Sequence, residues 1–222
     1  MCFAWQSGFM ESNWAADHLQ VIRTLMERSS VYRRALAPVM IYNGCLGLAA
    51  AGLGLLLSVF SPQGFISFWA GVALLGLIGS LLLIRRQSMR DKEPFWSPPT
   101  RRVTQALLPP IAAGFILSVV VMLGAEGNLQ STAQSLATLW LPLSWVVLYG
   151  CAFHAAGFFM PRGMRLFGWS FIAAGCALFW VASRETAPRP ESGHIIMGVF
   201  FGVLHLAYGV YLYFTEPRGD QA

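Results

Sequence analysis

Apolar residues collect into six runs, at about 38–60, 64–84, 107–125, 136–160, 166–183 and 194–214, separated by polar connections. Each is close to the ~20 residues a helix needs to cross a ~30 Å hydrocarbon core. The runs lack the strict two-residue alternation of membrane strands, and a helix satisfies its own backbone hydrogen bonds where water is missing. The pattern predicts an all-α fold, a six-transmembrane-helix bundle.

The sixth run has the sharpest internal pattern. At ~100° per residue, His194, Gly198, Gly202, His205 and Gly209 share one arc, while Val199, Val203, Leu206 and Val210 lie off it. Glycines at that spacing let a second helix approach backbone to backbone. In the fourth run Gly150, His154, Gly157 and Pro161 share an arc in the same way. Both runs point in the same direction, so His154 and His205 are expected at comparable depth on facing helices. The first run carries Asn43, Gly47, Ala51, Gly54 and Ser58 at helical spacing, a second small-residue seam. Phe65, Phe68 and Trp69 open the second run and read as an outer aromatic belt.

Polar patterning adds two helices. From Asn13 to Leu36, Trp14, Val21, Leu25, Tyr32 and Leu36 recur near heptad spacing with Arg23, Arg28, Arg33 and Arg34 among them. This predicts an N-terminal amphipathic cytoplasmic helix that ends at Pro38 and suits anionic lipid or a cytosolic partner. Ser97-Pro98 reads as an N-cap with proline at N1, starting a short interfacial helix that Pro109-Pro110 then redirects into the third run. Gly114 and Ser118 are the only features of the third run. The domain organisation expected is a cytoplasmic segment over 1–37, a membrane domain over 38–216 and a short tail over 217–222.

Composition supports the membrane reading: 56% of the 222 residues are hydrophobic and 11% charged, against about 25% charged in a soluble domain. Of 15 basic residues only Lys92 is not arginine. Thirteen fall in the N-terminal segment, the 85–106 loop, the 161–165 loop and the tail; only Arg184 and Arg189 fall on the other side. The positive-inside rule then places both termini in the cytoplasm. No basic run with interleaved aromatics speaks for nucleic acid. Met1 to Asn13 lacks the basic start and apolar middle of a cleaved leader.

The Ile22–Pro38 segment, the Phe95-Trp-Ser-Pro-Pro-Thr-Arg-Arg102 loop with its Leu-Leu-Pro-Pro110 continuation, and the Phe201-Gly-Val-Leu-His-Leu-Ala-Tyr-Gly209 close resemble a family of uncharacterised bacterial six-helix membrane proteins. The resemblance spans nearly the whole chain. It implies the fold and an inner-membrane setting and carries over no catalytic residue.

Candidate chemistry is sparse. No Gly-x-Ser-Gly setting, HExxH helix or pair of intramembrane aspartates occurs, which speaks against intramembrane proteolysis. Cys2, Cys45, Cys151 and Cys176 have no ligand spacing and read as small packing residues. The candidate polar or ligand-contacting residues are His154, His205, His194, Tyr149, Tyr208 and Asn43, and the candidate packing glycines are Gly150, Gly157, Gly198, Gly202 and Gly209. No resident metal or cofactor is expected. The leading expectation is a non-enzymatic membrane protein that binds a lipid-like ligand, or a partner through residues 13–36, with oligomerisation left open. The alternative is a b-type haem protein with His154 and His205 as axial ligands. Small-solute transport comes third, because no buried carboxylate supports it. A short likeness between 44–52 and 150–157 hints at an inverted repeat.

Overall fold

The structure is a computed structural model that describes residues 35–90, 96, 98–124, 136–160, 162–184 and 189–215. The described residues form six helices long and apolar enough to span a membrane, and contain no strand. They are α1 (Ala35–Leu56), α2 (Pro62–Arg90), α3 (Pro98–Gly124), α4 (Leu136–Ala156), α5 (Arg162–Ala182) and α6 (Ser192–Thr215). This is a multi-pass membrane protein. Its outer faces agree: Leu74, Leu75 and Leu77 on α2, and Leu108, Phe115, Ile116 and Val120 on α3, point away from the protein. Such a surface costs free energy in water and none against acyl chains.

The expected helix over 13–36 lies outside the described residues except for its last two positions, 35 and 36. Two proline expectations need correction. Ala35, Leu36 and Ala37 are already helical and buried, so α1 runs through Pro38 instead of beginning at it. Pro98 does begin a helix, but α3 continues through Pro109 and Pro110 to Gly124 without a separate interfacial piece. The two prolines withhold their N–H from the carbonyls of Gln105 and Ala106 and no others, a local loss that the helix on either side of them spans.

Neighbouring positions fix the packing. Ile41, Gly44, Leu48, Ala51 and Gly54 of α1 lie against Gly209, Leu206, Gly202, Gly198 and His194 of α6, so these two helices run antiparallel. Gly163 lies against Tyr208, and Phe171 against Phe200, so α5 is antiparallel to α6 as well. Thr138 and Tyr149 of α4 lie beside Gly193 and His205, which makes α4 parallel to α6. The helices thus alternate in direction, and residues 35 and 215 end at one pole of the bundle. That pole also holds Arg85, Arg86, Arg90, Arg101, Arg102 and Arg165 by their places near helix ends; Arg184 and Arg189 sit at the other.

Helix α6 is the centre, touching α1, α2, α4 and α5. Its sequence arc is its buried face: His194, Gly198, Gly202, His205 and Gly209 are all buried, while Val199, Val203 and Val210 are exposed. The glycines, however, serve a different neighbour from the one expected. A methyl group at Gly198, Gly202 or Gly209 would meet α1, and one at Gly44 or Gly47 would run into the α6 backbone at Leu206 or Phe201. The α6 seam therefore closes on α1. Gly150 of α4 and its C-cap Gly157 close on α5, against Gly168 and Phe171 at one level and Arg165 at the next. The two glycine faces do not meet each other.

Candidate functional site

Two clusters of buried polar groups sit on α6, each around a histidine. His205 is 1% exposed. Its Nδ1 lies 2.9 Å from the Phe200 carbonyl and its Nε2 2.7 Å from the Tyr149 hydroxyl. A carbonyl only accepts, so Nδ1 carries the proton; in the neutral ring Nε2 is then an acceptor, and the tyrosine O–H donates to it. The local backbone makes this possible. Gly198–Leu204 is a π-helical stretch, and the His205 backbone N–H bonds to the Gly202 carbonyl. Phe200, five residues before His205, thus takes the imidazole N–H where a π turn would offer it a backbone donor. The widened turn also absorbs the surplus in the four-four-three-four spacing of the buried arc, which slightly exceeds 3.6 residues per turn. Phe201 stacks on the ring at 5.8 Å, and Phe167 and Phe171 meet it edge-on at 5.2 and 5.6 Å.

His194 is 0% exposed and sits near the opposite pole. Its Nε2 lies 2.9 Å from the Val59 carbonyl, and its Nδ1 accepts the Trp69 indole N–H at 3.2 Å. By the same reasoning it is neutral with the proton on Nε2, the opposite tautomer to His205. The Val59 carbonyl is aimed by the end of α1. Ser58 takes a left-handed φ of 52°, with Ser58 N–H bonding Leu55 O at 3.1 Å and Val59 N–H bonding Gly54 O at 3.0 Å. Those two bonds are a Schellman cap with serine where glycine is usual. Phe60, Phe65 and Phe68 surround the imidazole edge-on at 6.0, 5.0 and 5.9 Å. A methyl group at Gly54 would collide with the ring.

These contacts correct two sequence expectations. Phe65 and Trp69 are not a lipid-facing belt; they are buried and wrap His194. The i, i+4 spacing of Phe65 and Trp69 was the available signal that one face of α2 carries both. His154 and His205 are also not a facing pair. Tyr149 occupies the α4 face toward His205, and His154, five residues on, lies ~140° further round the helix. Its ring instead packs edge-on against Phe158 and Trp169 at 5.5 and 5.4 Å, on the α5 side. Both nitrogens of His205 are held by protein groups, Tyr149 and the Phe200 carbonyl, and the His154 ring is turned toward α5.

The remaining candidates divide. Asn43 fastens α1 to α2, its amide donating to the Val39 carbonyl at 2.9 Å and to Ser80 Oγ at 2.8 Å. Tyr208 stacks on Phe167 at 4.6 Å, and its buried hydroxyl has no hydrogen-bond partner among the described residues. His154 Nδ1 is likewise buried without one. Trp145, Gly114 and Ser118, given no role from the sequence, tie α4 to α3: the indole N–H reaches Ser118 Oγ at 3.0 Å, and Ser118 bonds the Gly114 carbonyl at 2.7 Å. Among the described residues no group of three or more histidine, cysteine, aspartate or glutamate side chains is placed to hold a metal ion.

Comparisons with protein-family models, curated proteins and solved structures match this chain to none of them. The functional reading therefore stands on the geometry. That geometry offers two saturated histidine fasteners inside the bundle, and one histidine, His154, whose ring stands half-buried at the edge of the α4–α5 seam.

Proposed function

We propose that this chain is a non-enzymatic protein of a bacterial inner membrane, with both termini cytoplasmic, that binds a lipid-like ligand on its outer helical surface. One observation carries the reading: the centre is closed. The α1–α6 and α4–α5 seams approach backbone to backbone, and every ring nitrogen of the two fully buried histidines is satisfied by the protein itself. A neutral, fully bonded imidazole with aromatic walls neither moves protons nor takes a ligand without first breaking a buried hydrogen bond. The same closure argues against a solute route through the bundle. Binding capacity is left to the outer surface, and the gathering of arginines at one pole supports a cytoplasmic assignment for that pole. Residues 13–36 remain the proposed docking segment for a cytoplasmic protein partner.

The test is native mass spectrometry of the full chain released from mild detergent. Lipid adducts that survive activation in stoichiometric amounts are expected. A folded, stable protein that keeps no lipid under any gentle condition would overturn the proposal.

A further inference from the structure

At the arginine-rich pole, α4 and α5 share a surface cluster that the internal packing does not use. Gly157, the residue that caps α4, lies against the stem and backbone of Arg165, where a methyl group would collide with the arginine Cγ. Its missing side chain sets the half-buried Arg165 down on α4, with the guanidinium carbon 5.4 Å from the Phe158 ring centre. Arg165 has no acidic or hydrogen-bonding partner among the described residues. Beside it His154 is clasped edge-on between Phe158 and Trp169. His154 Nδ1 is the buried nitrogen, so the exposed edge of the ring carries Nε2. Trp169 is 53% exposed and continues this surface toward the hydrocarbon.

The levels are informative. Gly168 packs on the His154 backbone, so the histidine lies three residues, or roughly 4.5 Å, deeper than Arg165 along α5. A cation near the helix end, a neutral donor one step deeper and an aromatic deeper still match an amphiphile with an anionic head, a carbonyl below it and an apolar tail. An arginine with no acidic partner among the described residues is free to take an anion, and its fork fits a phosphate oxygen pair. Because the cluster opens sideways to acyl chains, its occupant is a lipid instead of a soluble anion or an acidic peptide.

We propose that Arg165, His154 and Trp169 form a site for an anionic glycerophospholipid, with the phosphodiester on Arg165 and an ester carbonyl on the outward nitrogen of His154. The inference rests on the lipid-binding reading above and names its lipid class and its place.

The experiment is a retention assay on the full chain in mild detergent, supplied with dioleoylphosphatidylglycerol or dioleoylphosphatidylcholine and read by native mass spectrometry. The wild type is expected to retain the anionic lipid preferentially. Arg165→Gln should weaken that preference about tenfold, and Arg165→Lys, which keeps the charge and loses the fork, by less. Exposed Arg85→Gln at the same pole should leave it unchanged. His154→Leu should weaken retention of both lipids without altering the headgroup preference, which keeps the proposal testable should Arg165→Gln fail to fold. Equal retention of the two lipids by the wild type, or an undiminished preference in Arg165→Gln, overturns this site and leaves the general lipid reading standing. Displacement of the lipid by glycerol phosphate at millimolar concentration overturns it in favour of a soluble phosphate ester. A wild type that retains neither lipid sinks both readings together.

Discussion

Tyr149→Phe isolates one hydrogen bond in the centre of the bundle. The substitution removes the hydroxyl that donates to His205 Nε2 at 2.7 Å and leaves the ring in place against Phe153, Phe171 and Phe201 at 4.6, 5.3 and 4.9 Å. His205 cannot repair the loss. Turning Nε2 into a donor would move the proton off Nδ1 and abandon the Phe200 carbonyl at 2.9 Å. Either way at least one polar atom is orphaned at a residue 1% exposed. Orphaning a buried neutral group costs about 1–3 kcal/mol. Hydrogen bonds within membrane bundles average nearer ~0.6 kcal/mol, because the unpacked helices find other partners. The near-complete burial favours the upper part of the overlap, so a loss of about 1–2 kcal/mol is expected. The assay is reversible unfolding in mixed micelles by denaturing-detergent titration, run as a double-mutant cycle with His205→Leu. In the His205→Leu background, Tyr149→Phe should cost less than ~0.5 kcal/mol, since no acceptor remains to be orphaned. A wild-type-like Tyr149→Phe, or a cost that persists unchanged without the histidine, would refute the assignment of tautomer and partner.

Three further outcomes follow from other places in the fold. Ser58 holds a left-handed conformation that glycine adopts freely, so Ser58→Gly should stabilise the protein by about 0.5–1 kcal/mol in the same titration, and Ser58→Val should destabilise it. Gly54→Ala should displace the His194 ring from Val59 and Trp69 and cost about 3 kcal/mol or more; Gly52→Ala, two residues away with open space around it, should be neutral or slightly stabilising. A difference of less than ~1 kcal/mol between the two would contradict the close α1–α6 contact. Protein purified from haem-replete cells should show no Soret band before or after dithionite, because His205 Nε2 is already held by Tyr149; a band that disappears in His205→Ala would reverse that conclusion.

The helix count, the approximate spans and the buried face of α6 were legible in the sequence. Apolar length and the 3.6-residue period are local properties, and a bilayer constrains both directly. Periodicity says which face of a helix is inward, but not which helix it meets. The glycines of α6 pack against the small-residue seam of α1, and Gly150 and Gly157 pack against α5. Tyr149, not His154, meets His205, because one helix face has room for one neighbour and the choice depends on the rotation of both helices. Trp69 passes for a belt residue by composition and becomes a hydrogen-bond donor only once the turn after α1 presents Val59 to His194. The sequence alone therefore determined that six helices form and where each is apolar. Only the tertiary structure decided which polar atoms are paired, since pairing depends on long-range rotations and depths that no local pattern encodes.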